Sequence, residues 1–197
     1  GLWLGMPSLF IRVAGCNLRC AWCDTPRARS ARGGSEQTVS QLVARARASA
    51  LRHVVITGGE PAVYADELID LCRRLRRAGK IITVESNATV FVDCHPHLMS
   101  LSPKLPAWHQ QVIAQYCRRA ARTQIKLVVS NAAEAGRAWR RVAGLGLPHE
   151  NVYIMPRART RAEHIRAADV LVPWCIQHGA RFAVRAQTLL WNNTAGR

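Results

Sequence analysis

Apolar strands alternate with amphipathic helices along this chain, and the alternation limits its possible folds more than any other feature. The first strand-like runs are 8–13 and 53–57, both rich in apolar and β-branched residues. Further along, apolar residues recur at helical spacing, as in Leu68, Leu71 and Leu75. Strands that alternate with helices form parallel βαβ units. We therefore predict an α/β fold, a partial (open) parallel βα barrel, with functional residues at the carboxyl ends of its strands.

The expected elements leave no room for a linker and show no internal repeat, so residues 1–197 are expected to form one domain. Thr38 and Asn131 are the expected N-caps of two of the helices. The predicted strands are 8–13, 53–57, 81–85, 98–101, 124–129, 152–155 and 181–185, and the predicted helices are 39–50, 65–78, 112–122, 132–142 and 161–178.

Composition narrows the class of protein. Hydrophobic residues make up 49% of the chain, but none of the apolar runs approaches the roughly 18 residues needed to span a membrane. The chain begins at Gly1 with neither a signal-peptide pattern nor an initiator Met, so we expect residues to be missing from its amino end. Seven cysteines, three of them clustered, fit a reducing compartment better than a disulfide framework. These features predict a soluble, cytoplasmic protein.

The chain is strongly basic, with 28 Lys and Arg residues against 12 Asp and Glu residues and a net charge of +16. Such a balance admits nucleic-acid binding or attraction of anionic substrates. The arginines, however, are scattered through helical segments, on faces expected to be solvated, and no aromatic residues alternate with them. The pattern argues against a dedicated nucleic-acid surface.

Three cysteines, Cys16, Cys20 and Cys23, follow the first predicted strand with C-x3-C-x2-C spacing. A structural zinc site normally closes with four protein ligands, whereas an iron–sulfur cluster held by three thiolates leaves one metal open for chemistry. No fourth Cys or His lies nearby in the sequence, which favours the open cluster. A zinc knuckle completed by a distant residue, or a redox pair formed by Cys20 and Cys23, remains an alternative.

A second motif, Gly58-Gly59-Glu60-Pro61, follows the second predicted strand. Two glycines leave bare backbone groups at the carboxyl edge of the sheet, where a ligand can approach closely. The Glu60 carboxylate could accept hydrogen bonds from an ammonium group. By itself this sequence could also be a simple strand-to-helix turn. Together with the cysteine loop on the preceding strand, it resembles the radical S-adenosylmethionine (SAM) superfamily.

The resemblance extends further, to the 7-carboxy-7-deazaguanine synthase family of the queuosine pathway. Cys-Asp-Thr at 23–25 together with Ser-Pro-Lys at 102–104 separates this family from glycyl-radical activating enzymes. The runs that carry the resemblance lie in the family's order at 10–20, 23–25, 57–61, 101–105, 124–126, 152–156 and 189–191.

This resemblance implies a set of cofactors and roles. A [4Fe–4S] cluster would be ligated by Cys16, Cys20 and Cys23, and SAM would be its partner cofactor. Thr25 would contribute a hydroxyl to Mg²⁺ beside the substrate carboxylate, since that ion prefers oxygen ligands. The residues implied for SAM binding are Gly58, Gly59, Glu60, Glu85, Ser102, Lys104 and Met155, and those implied for substrate binding are Arg12, Thr57 and Gln187.

Four of these residues also have simpler structural interpretations. Arg12 on a buried strand could form a structural ion pair. Thr25 could merely cap its loop. Glu85 and Lys104 could pair with each other as a salt bridge at the strand edge.

The chain also departs from the family pattern. Members begin with a strand that ends in Gln-Gly-Glu-Gly, whose last glycine aligns with Gly1, so the first strand is expected to be missing here. Family chains of this type have Glu-Gly where this chain has Arg157 and Ala158, and a histidine where it has Gln187. These differences bear on substrate specificity more than on cluster and SAM binding.

The implied reaction is that of a radical SAM lyase (a carbon–nitrogen lyase). A 5′-deoxyadenosyl radical made from SAM would convert 6-carboxy-5,6,7,8-tetrahydropterin to 7-carboxy-7-deazaguanine, with loss of ammonia. The resemblance also implies a small-molecule pterin substrate, an electron donor such as flavodoxin or ferredoxin, and a homodimer. Two alternatives stay open: an activating enzyme that generates a radical on a partner protein, and a zinc-containing nucleic-acid-binding module.

Overall fold

Seven parallel strands form one sheet in the computed structural model, which describes residues 1–192 and residue 194. The strands lie side by side in chain order, β1 to β7, because each connection returns the chain to the neighbouring position. Among these residues β1 and β7 do not pair with each other, so the barrel is open, as predicted. The strands are β1 (Ser8–Val13), β2 (His53–Gly58), β3 (Ile81–Ser86), β4 (Leu98–Leu101), β5 (Thr123–Val129), β6 (Val152–Pro156) and β7 (Arg181–Phe182).

The helices cover the outer face of the sheet. In α2 the residues at helical spacing, Leu68, Leu71, Cys72 and Leu75, are buried in the main core. The expected caps are present: the Thr38 and Asn131 side chains accept backbone N–H groups at the starts of α1 and α4. The helices are α1 (Val39–Ala48), α2 (Ala65–Arg77), α3 (Gln110–Arg119), α4 (Ala132–Ala143), α5 (Arg161–His178) and α6 (Ala186–Trp191).

The carboxyl end of the chain differs from the prediction. We expected a strand over 181–185, but β7 contains only Arg181 and Phe182, and the helix α6 follows it. The partner strand β6 ends at Pro156, which has no N–H to donate, so the ladder cannot extend beyond it. Arg185 instead turns its side chain towards the cysteine loop.

The first residues of the chain lie against the inner side of the sheet. The Leu2 N–H donates to the Gln124 side-chain oxygen (2.7 Å), and Gln124 in turn donates to Ser100 of β4 (2.9 Å). These contacts place the segment beside Gln124 at the start of β5 and Ser100 in β4. The loops that follow each strand lie at the carboxyl edge of the sheet. Within the described part of the chain, no helix is both long and apolar enough to cross a membrane.

Candidate active site

The cysteine loop is fixed to the end of β2 by backbone hydrogen bonds. The β1 and β2 ladder continues past the strands: Gly59 N–H donates to the Val13 carbonyl (2.9 Å), and Glu60 N–H donates to the Gly15 carbonyl (2.8 Å). The hydroxyl of Tyr64 donates to the Ala14 carbonyl (2.6 Å) and supports the same turn. The two motifs found in the sequence are therefore one rigid unit, with the cysteine loop packed directly on the glycine loop.

Close packing explains the two glycines of this unit. Gly58 has φ +129°, a conformation that L side chains rarely adopt, and a β-carbon there would overlap the backbone of Val13. A β-carbon at Gly59 would overlap the Gly15 carbonyl oxygen and lie 2.5 Å from that of Ala28. Bare backbone is required where the two loops meet, which adds a structural reason to the predicted role of these glycines in SAM binding.

Cys16, Cys20 and Cys23 are half-buried free thiols on this loop. Burial raises the pKa of Cys16, a hydrogen bond from Leu18 N–H opposes that shift, and the neighbouring Glu60, Cys20 and Cys23 add to it. Among the described residues, no three His, Cys, Asp or Glu side chains meet closely enough to hold a single metal ion. In a [4Fe–4S] cluster each thiolate binds a different iron, so its three ligands surround a wider space.

The Glu60 carboxylate lies inside the protein, only 1% exposed. One oxygen accepts the N–H of Ala62 (3.0 Å) and the other accepts the N–H of Asn87 (2.6 Å), which ties the loop after β2 to the end of β3. Burial raises the pKa of Glu60, and these two N–H groups partly offset the rise. Glu60 thus has a structural task in addition to its predicted contact with an ammonium group.

Thr57, Glu85 and Lys126 form a polar network on three strands, β2, β3 and β5. Thr57 donates to one oxygen of the Glu85 carboxylate (2.8 Å), and the Lys126 ammonium forms a salt bridge with the other. Burial would raise the pKa of Glu85, but Lys126, Thr57 and the positive charge of Arg12 together hold it below its usual value. The alternative in which Glu85 pairs with Lys104 is wrong, because β5 rather than β4 brings the cation next to it.

The substrate-binding candidate Arg12 is exposed at the end of β1, where its register partner on β2 is Thr57. Among the described residues it makes no salt bridge, so the structural ion pair considered for it is absent there. The positive charge of Arg12, on β1, also lowers the pKa of Glu85, on β3. Arg12, Thr57 and Glu85 are therefore aligned along the carboxyl ends of β1 to β3, as a shared binding site requires.

Lys104 follows β4 and lies among charged groups from other loops. Its ammonium donates to the Ser102 hydroxyl (2.7 Å). Burial lowers the pKa of Lys104, the nearby Cys20 and Asp24 side chains raise it, and the positive charges of Arg185 and Lys126 lower it further. An ammonium has three N–H donors, and within the described part of the chain Lys104 uses one of them. The remaining donors fit an anionic ligand beside the cysteine loop.

A contact that the sequence did not reveal joins the cysteine loop to the far end of the chain. The carboxylate of Asp24 forms a salt bridge with Arg185, whose other terminal nitrogen donates to the Ala158 carbonyl (3.0 Å). Thr25, next to Asp24, donates to the same carboxylate (3.2 Å). Its side chain makes no capping hydrogen bond with the 3-10 turn that follows, so the loop-capping interpretation of Thr25 is not supported.

A cleft of about 320 Å³ opens between the cysteine loop and the segment after β6, lined by Trp22, Arg157, Ala158, Arg159 and Glu163. The guanidinium of Arg157 stacks over the Trp22 ring, 4.8 Å from its centre, and Arg159 donates to the Ala21 carbonyl. Arg157 also forms a salt bridge with Glu134 (3.3 Å). Arg157 thus helps to hold this side of the site together.

Met155 and Gln187 are the remaining candidates for SAM and substrate binding. Met155 is half-buried on β6, opposite Val128, one residue before the strand ends. Gln187 is half-buried in the first turn of α6. Their predicted contacts with SAM and substrate stay predictions.

Several residues that shape the site escaped the sequence analysis. Asn87 donates to the Asn17 side chain (2.9 Å), and Asn17 donates to Thr89 (2.7 Å), which ties the cysteine loop to the end of β3. Asn17 lies within the cysteine motif and Asn87 lies two residues after Glu85, and these positions are the signal that the sequence offers for them. Arg185 has no such signal, because its partner Asp24 is 161 positions away.

Comparison with known proteins identifies the family. The sequence profile of the radical SAM superfamily matches residues 10–152. Two curated proteins, both called 7-carboxy-7-deazaguanine synthase, match almost end to end. That of Rhodopirellula baltica is 34% identical over 98% of this chain and 82% of its own length, and that of Pyrobaculum aerophilum is 33% identical over 100% and 91%. This chain belongs to the 7-carboxy-7-deazaguanine synthase family of radical SAM enzymes.

Solved structures agree on the fold. The crystal structure of QueE from Escherichia coli superposes with a TM-score of 0.70, covering 94% of this chain and 88% of that one, at 24% identity. SuiB of Streptococcus suis, bound to its precursor peptide, superposes with a TM-score of 0.67 over 93% of this chain and 50% of its own, at 13% identity. The partial barrel is therefore the radical SAM fold.

Family membership makes a [4Fe–4S] cluster and SAM the cofactors of this enzyme, and the residues present fit them. Three thiols stand on one short loop, which suits a cluster with one open iron. The glycine loop leaves bare backbone beside them. The free N–H donors of Lys104 suit a carboxylate such as that of SAM. The zinc-knuckle and redox-pair interpretations of the cysteines lose their support.

Proposed function

We propose that this chain converts 6-carboxy-5,6,7,8-tetrahydropterin to 7-carboxy-7-deazaguanine with loss of ammonia, a step in the biosynthesis of queuosine and other 7-deazapurines. The observation that carries the proposal is similarity to two synthases of that name over nearly the full length of this chain. The site supports it, because cationic and hydroxyl side chains line the carboxyl edge of the sheet beside the cysteine loop. Such groups suit a small, polar, carboxylate-bearing substrate.

The chain's own residues bind and orient the reactants. Cys16, Cys20 and Cys23 would hold the cluster, and the Lys104 ammonium would bind an anionic group of SAM beside it. When bound, the cluster and SAM would supply the radical chemistry needed to abstract hydrogen from the pterin. Arg12 would receive the substrate carboxylate, because its planar fork suits two oxygens. Thr57, whose hydroxyl proton is donated to Glu85, would contact the substrate through the lone pairs of that hydroxyl.

We further propose that Thr25 contributes an oxygen to Mg²⁺ beside the substrate. Its hydroxyl donates a hydrogen bond to the Asp24 carboxylate and does not cap the following turn. Thr25 therefore lies beside carboxylate oxygens, which suit this ion as ligands. Thr25→Val keeps the branched shape and deletes the hydroxyl. We expect this variant to keep its iron and bind SAM normally but to turn over the pterin slowly, with little response to added Mg²⁺. Full Mg²⁺ stimulation in the variant would place the ion elsewhere.

The partners and location belong to the same proposal. A one-electron donor such as flavodoxin or ferredoxin would reduce the cluster, and the enzyme would work as a homodimer. Cysteines kept as free thiols suit the reducing conditions of the cytoplasm. Size-exclusion chromatography with light scattering on the reconstituted protein tests the dimer: a single species with the mass of one chain would contradict it.

Product analysis tests the reaction itself. The protein is reconstituted anaerobically with iron and sulfide and given SAM, a reductant, Mg²⁺ and the pterin, and mass spectrometry follows the deazaguanine product and 5′-deoxyadenosine. We expect both to accumulate, and omission of either SAM or the pterin to abolish the deazaguanine. Cleavage of SAM without deazaguanine, at pterin concentrations that saturate a known synthase, would reject this substrate. It would favour an enzyme that activates a partner protein.

A further inference from the structure

A buried histidine at the start of β2, His53, has no part in the reaction above. It is only 3% exposed. Both ring nitrogens have hydroxyl partners: Nδ1 lies 2.6 Å from the Ser8 oxygen on β1, and Nε2 lies 2.9 Å from the Thr83 oxygen on β3. The Trp3 ring packs against the imidazole, with 4.6 Å between the ring centres. His53 thus joins the first three strands to residues 1–7, which we call the amino-terminal segment.

The hydrogen bonds determine which ring nitrogen of His53 carries the proton. The Ser8 hydroxyl has one proton and donates it to the Met6 carbonyl (2.8 Å). Ser8 therefore accepts a hydrogen bond from His53, so Nδ1 carries the proton and Nε2 accepts the hydroxyl proton of Thr83. Neutral His53 satisfies every member of this chain of hydrogen bonds, from Met6 to Thr83.

A second proton on His53 breaks the chain at Thr83. A protonated imidazole donates from both nitrogens and accepts nothing. The Thr83 hydroxyl has no other partner within the described part of the chain. If that hydroxyl turned to accept from Nε2, its own proton would be left unpaired in a buried position, which opposes protonation.

The surroundings of His53 add no compensating negative charge. Among the described residues no carboxylate lies within salt-bridge distance of it, and Glu85, on the same face of β3 as Thr83, is paired with Lys126. The group that faces His53 from the segment before β4 is His97, another basic side chain. Burial and the charge of His97 both lower the pKa of His53. The amino-terminal segment itself has no ionisable side chain.

The amino-terminal segment has few other attachments. At its start, the Leu2 N–H donates to the Gln124 side chain (2.7 Å). The side chains of Leu4 and Met6 are exposed, so the segment buries little apolar surface apart from Trp3. Segments held by few buried contacts open at low free energy. Loss of the contacts at His53 is therefore sufficient to free most of this segment.

We propose that the amino-terminal segment is a proton-sensitive strap, which lies on the sheet while His53 is neutral and detaches when His53 is protonated. Detachment uncovers the polar side chains of Thr83 and Gln124, on the face of the sheet that also carries Glu85. The inference does not depend on the proposed function, because His53 lies at the start of its strand and the cofactor motifs follow the strand ends.

The direction of the pH effect follows from proton linkage. The attached state binds the second proton more weakly than the detached state, in which His53 is solvated. Attachment is therefore strongest above the ordinary histidine range, and it weakens progressively as the pH falls below that range.

A neutral replacement of His53 tests the proposal. In His53→Gln the side-chain amide can donate to Ser8 and accept from Thr83, but it does not bind a proton in this pH range. The matched control is His149→Gln, which removes an exposed histidine from the turn before β6. Circular dichroism and the visible absorbance of the reconstituted cluster are recorded at each pH, so that detachment is compared only among folded, cluster-bearing samples.

Hydrogen–deuterium exchange with mass spectrometry follows the peptide that contains the amino-terminal segment, with rates corrected for the intrinsic effect of pH. Between about pH 8 and about pH 5.5 we expect its protection to fall at least about fivefold in wild type and in His149→Gln, and less than about twofold in His53→Gln. An equal fall in wild type and His53→Gln would overturn the proposal, because another group would then be responsible. Constant protection in wild type would also overturn it.

Nuclear magnetic resonance of the wild-type enzyme tests the same transition without relying on a variant. The His53 ring signals, assigned through their contacts with Trp3, should titrate below the ordinary histidine pKa of about 6.5. The indole N–H signal of Trp3 should change with the same midpoint, because its ring leaves the imidazole at that point. A Trp3 signal that does not follow the His53 titration would show that protonation leaves the segment in place, and the proposal would be wrong.

Discussion

Two lysines at the carboxyl edge of the sheet have opposite electrostatic situations. Lys126 is paired with the Glu85 carboxylate, whereas Lys104 has a hydroxyl partner and a pKa lowered mainly by burial. A paired cation contributes to folding stability, and a buried cation without a carboxylate partner opposes it. Lys126 thus stabilises the ligand-free protein, whereas Lys104 is available to bind a ligand.

Replacement of Lys126 should cost stability in a pH-dependent way. The pKa of Glu85 is lowered in the folded protein, so its contribution is present above the ordinary carboxyl range and is lost as the pH falls through the folded pKa. We expect Lys126→Met to lower the free energy of unfolding by about 1–2 kcal/mol at neutral pH, because the pair is only partly buried. Denaturant unfolding of wild type and variant should converge towards acidic pH. In a Glu85→Gln background the difference should no longer depend on pH, and a persistent dependence would contradict the assignment.

Replacement of Lys104 should have the opposite effect on stability. Its lowered pKa means that folding disfavours the protonated form, so wild-type stability rises as the pH rises through the folded pKa. We expect Lys104→Met to raise the free energy of unfolding of the cofactor-free protein by about 0.5–2 kcal/mol and to remove this rise with pH. Equilibrium dialysis should show SAM affinity at least about tenfold weaker in the reconstituted variant. A destabilised variant with unchanged SAM affinity would show that Lys104 is structural.

The three cysteines of the loop should be required individually for the cluster. We expect Cys16→Ala, Cys20→Ala and Cys23→Ala each to lose most of the iron and the visible absorbance after reconstitution. Cys117 on α3 is also half-buried, and Cys117→Ala is the matched control that should keep the cluster. Iron analysis checks this, and retention of the cluster in Cys20→Ala would refute the ligand assignment.

Among the elements, regular strands and helices could be predicted and the end of the chain could not. The bounds of β1 and α5 agree with the prediction, because their apolar runs and caps lie within the segment itself. The shortened β7 and the helix α6 depend on Pro156 in the partner strand and on the salt bridge between Arg185 and Asp24. Neither influence is visible in local sequence, since both act between distant segments.

The same distinction holds for the site. The cysteine and glycine motifs were found because each is contiguous in sequence and has a chemical reason for its spacing. The dual task of Glu60 was missed, because the Asn87 N–H that it accepts comes from a different strand end. The pairing of Glu85 was wrong for a similar reason. Sequence alone did not show that Lys126, rather than Lys104, would face it.

The junction of the cysteine and glycine loops offers a test at the level of elements. Gly59→Ala would insert a β-carbon between the carbonyls of Gly15 and Ala28, both of which are backbone and cannot move aside independently. We expect a loss of about 1–3 kcal/mol in the free energy of unfolding, together with poor cluster incorporation. Gly144→Ala is the control, because a β-carbon there meets nothing within 4 Å. Equal iron content and stability in the two variants would show that the two loops are not tightly coupled.

At the scale of the whole molecule, side chains join the two ends of an open barrel. In the described residues β1 and β7 do not pair, yet Asp24 and Ala21 beside β1 contact Arg185 and Arg159 beyond β6. These contacts cross the mouth of the half-barrel above the site. They hold the cysteine loop against the far wall. The loop is otherwise tied to the ends of β2 and β3 and to the residues that follow it, Ala28 and Arg29.

Loss of the Asp24–Arg185 salt bridge should therefore loosen the cluster without preventing its assembly. Arg185 is 9% exposed and also donates to Ala158, so Arg185→Gln removes a buried, charge-assisted contact of about 1.5–3 kcal/mol. We expect the reconstituted variant to bind normal iron but to release it to an external chelator about tenfold faster than wild type, since the loop opens more often. Arg181→Gln is the matched control, because Arg181 lies on β7 and contacts Tyr153, away from the cysteine loop. If iron release from Arg185→Gln is as slow as from Arg181→Gln, the mouth of the barrel is held closed by the main-chain contacts of the cysteine loop alone.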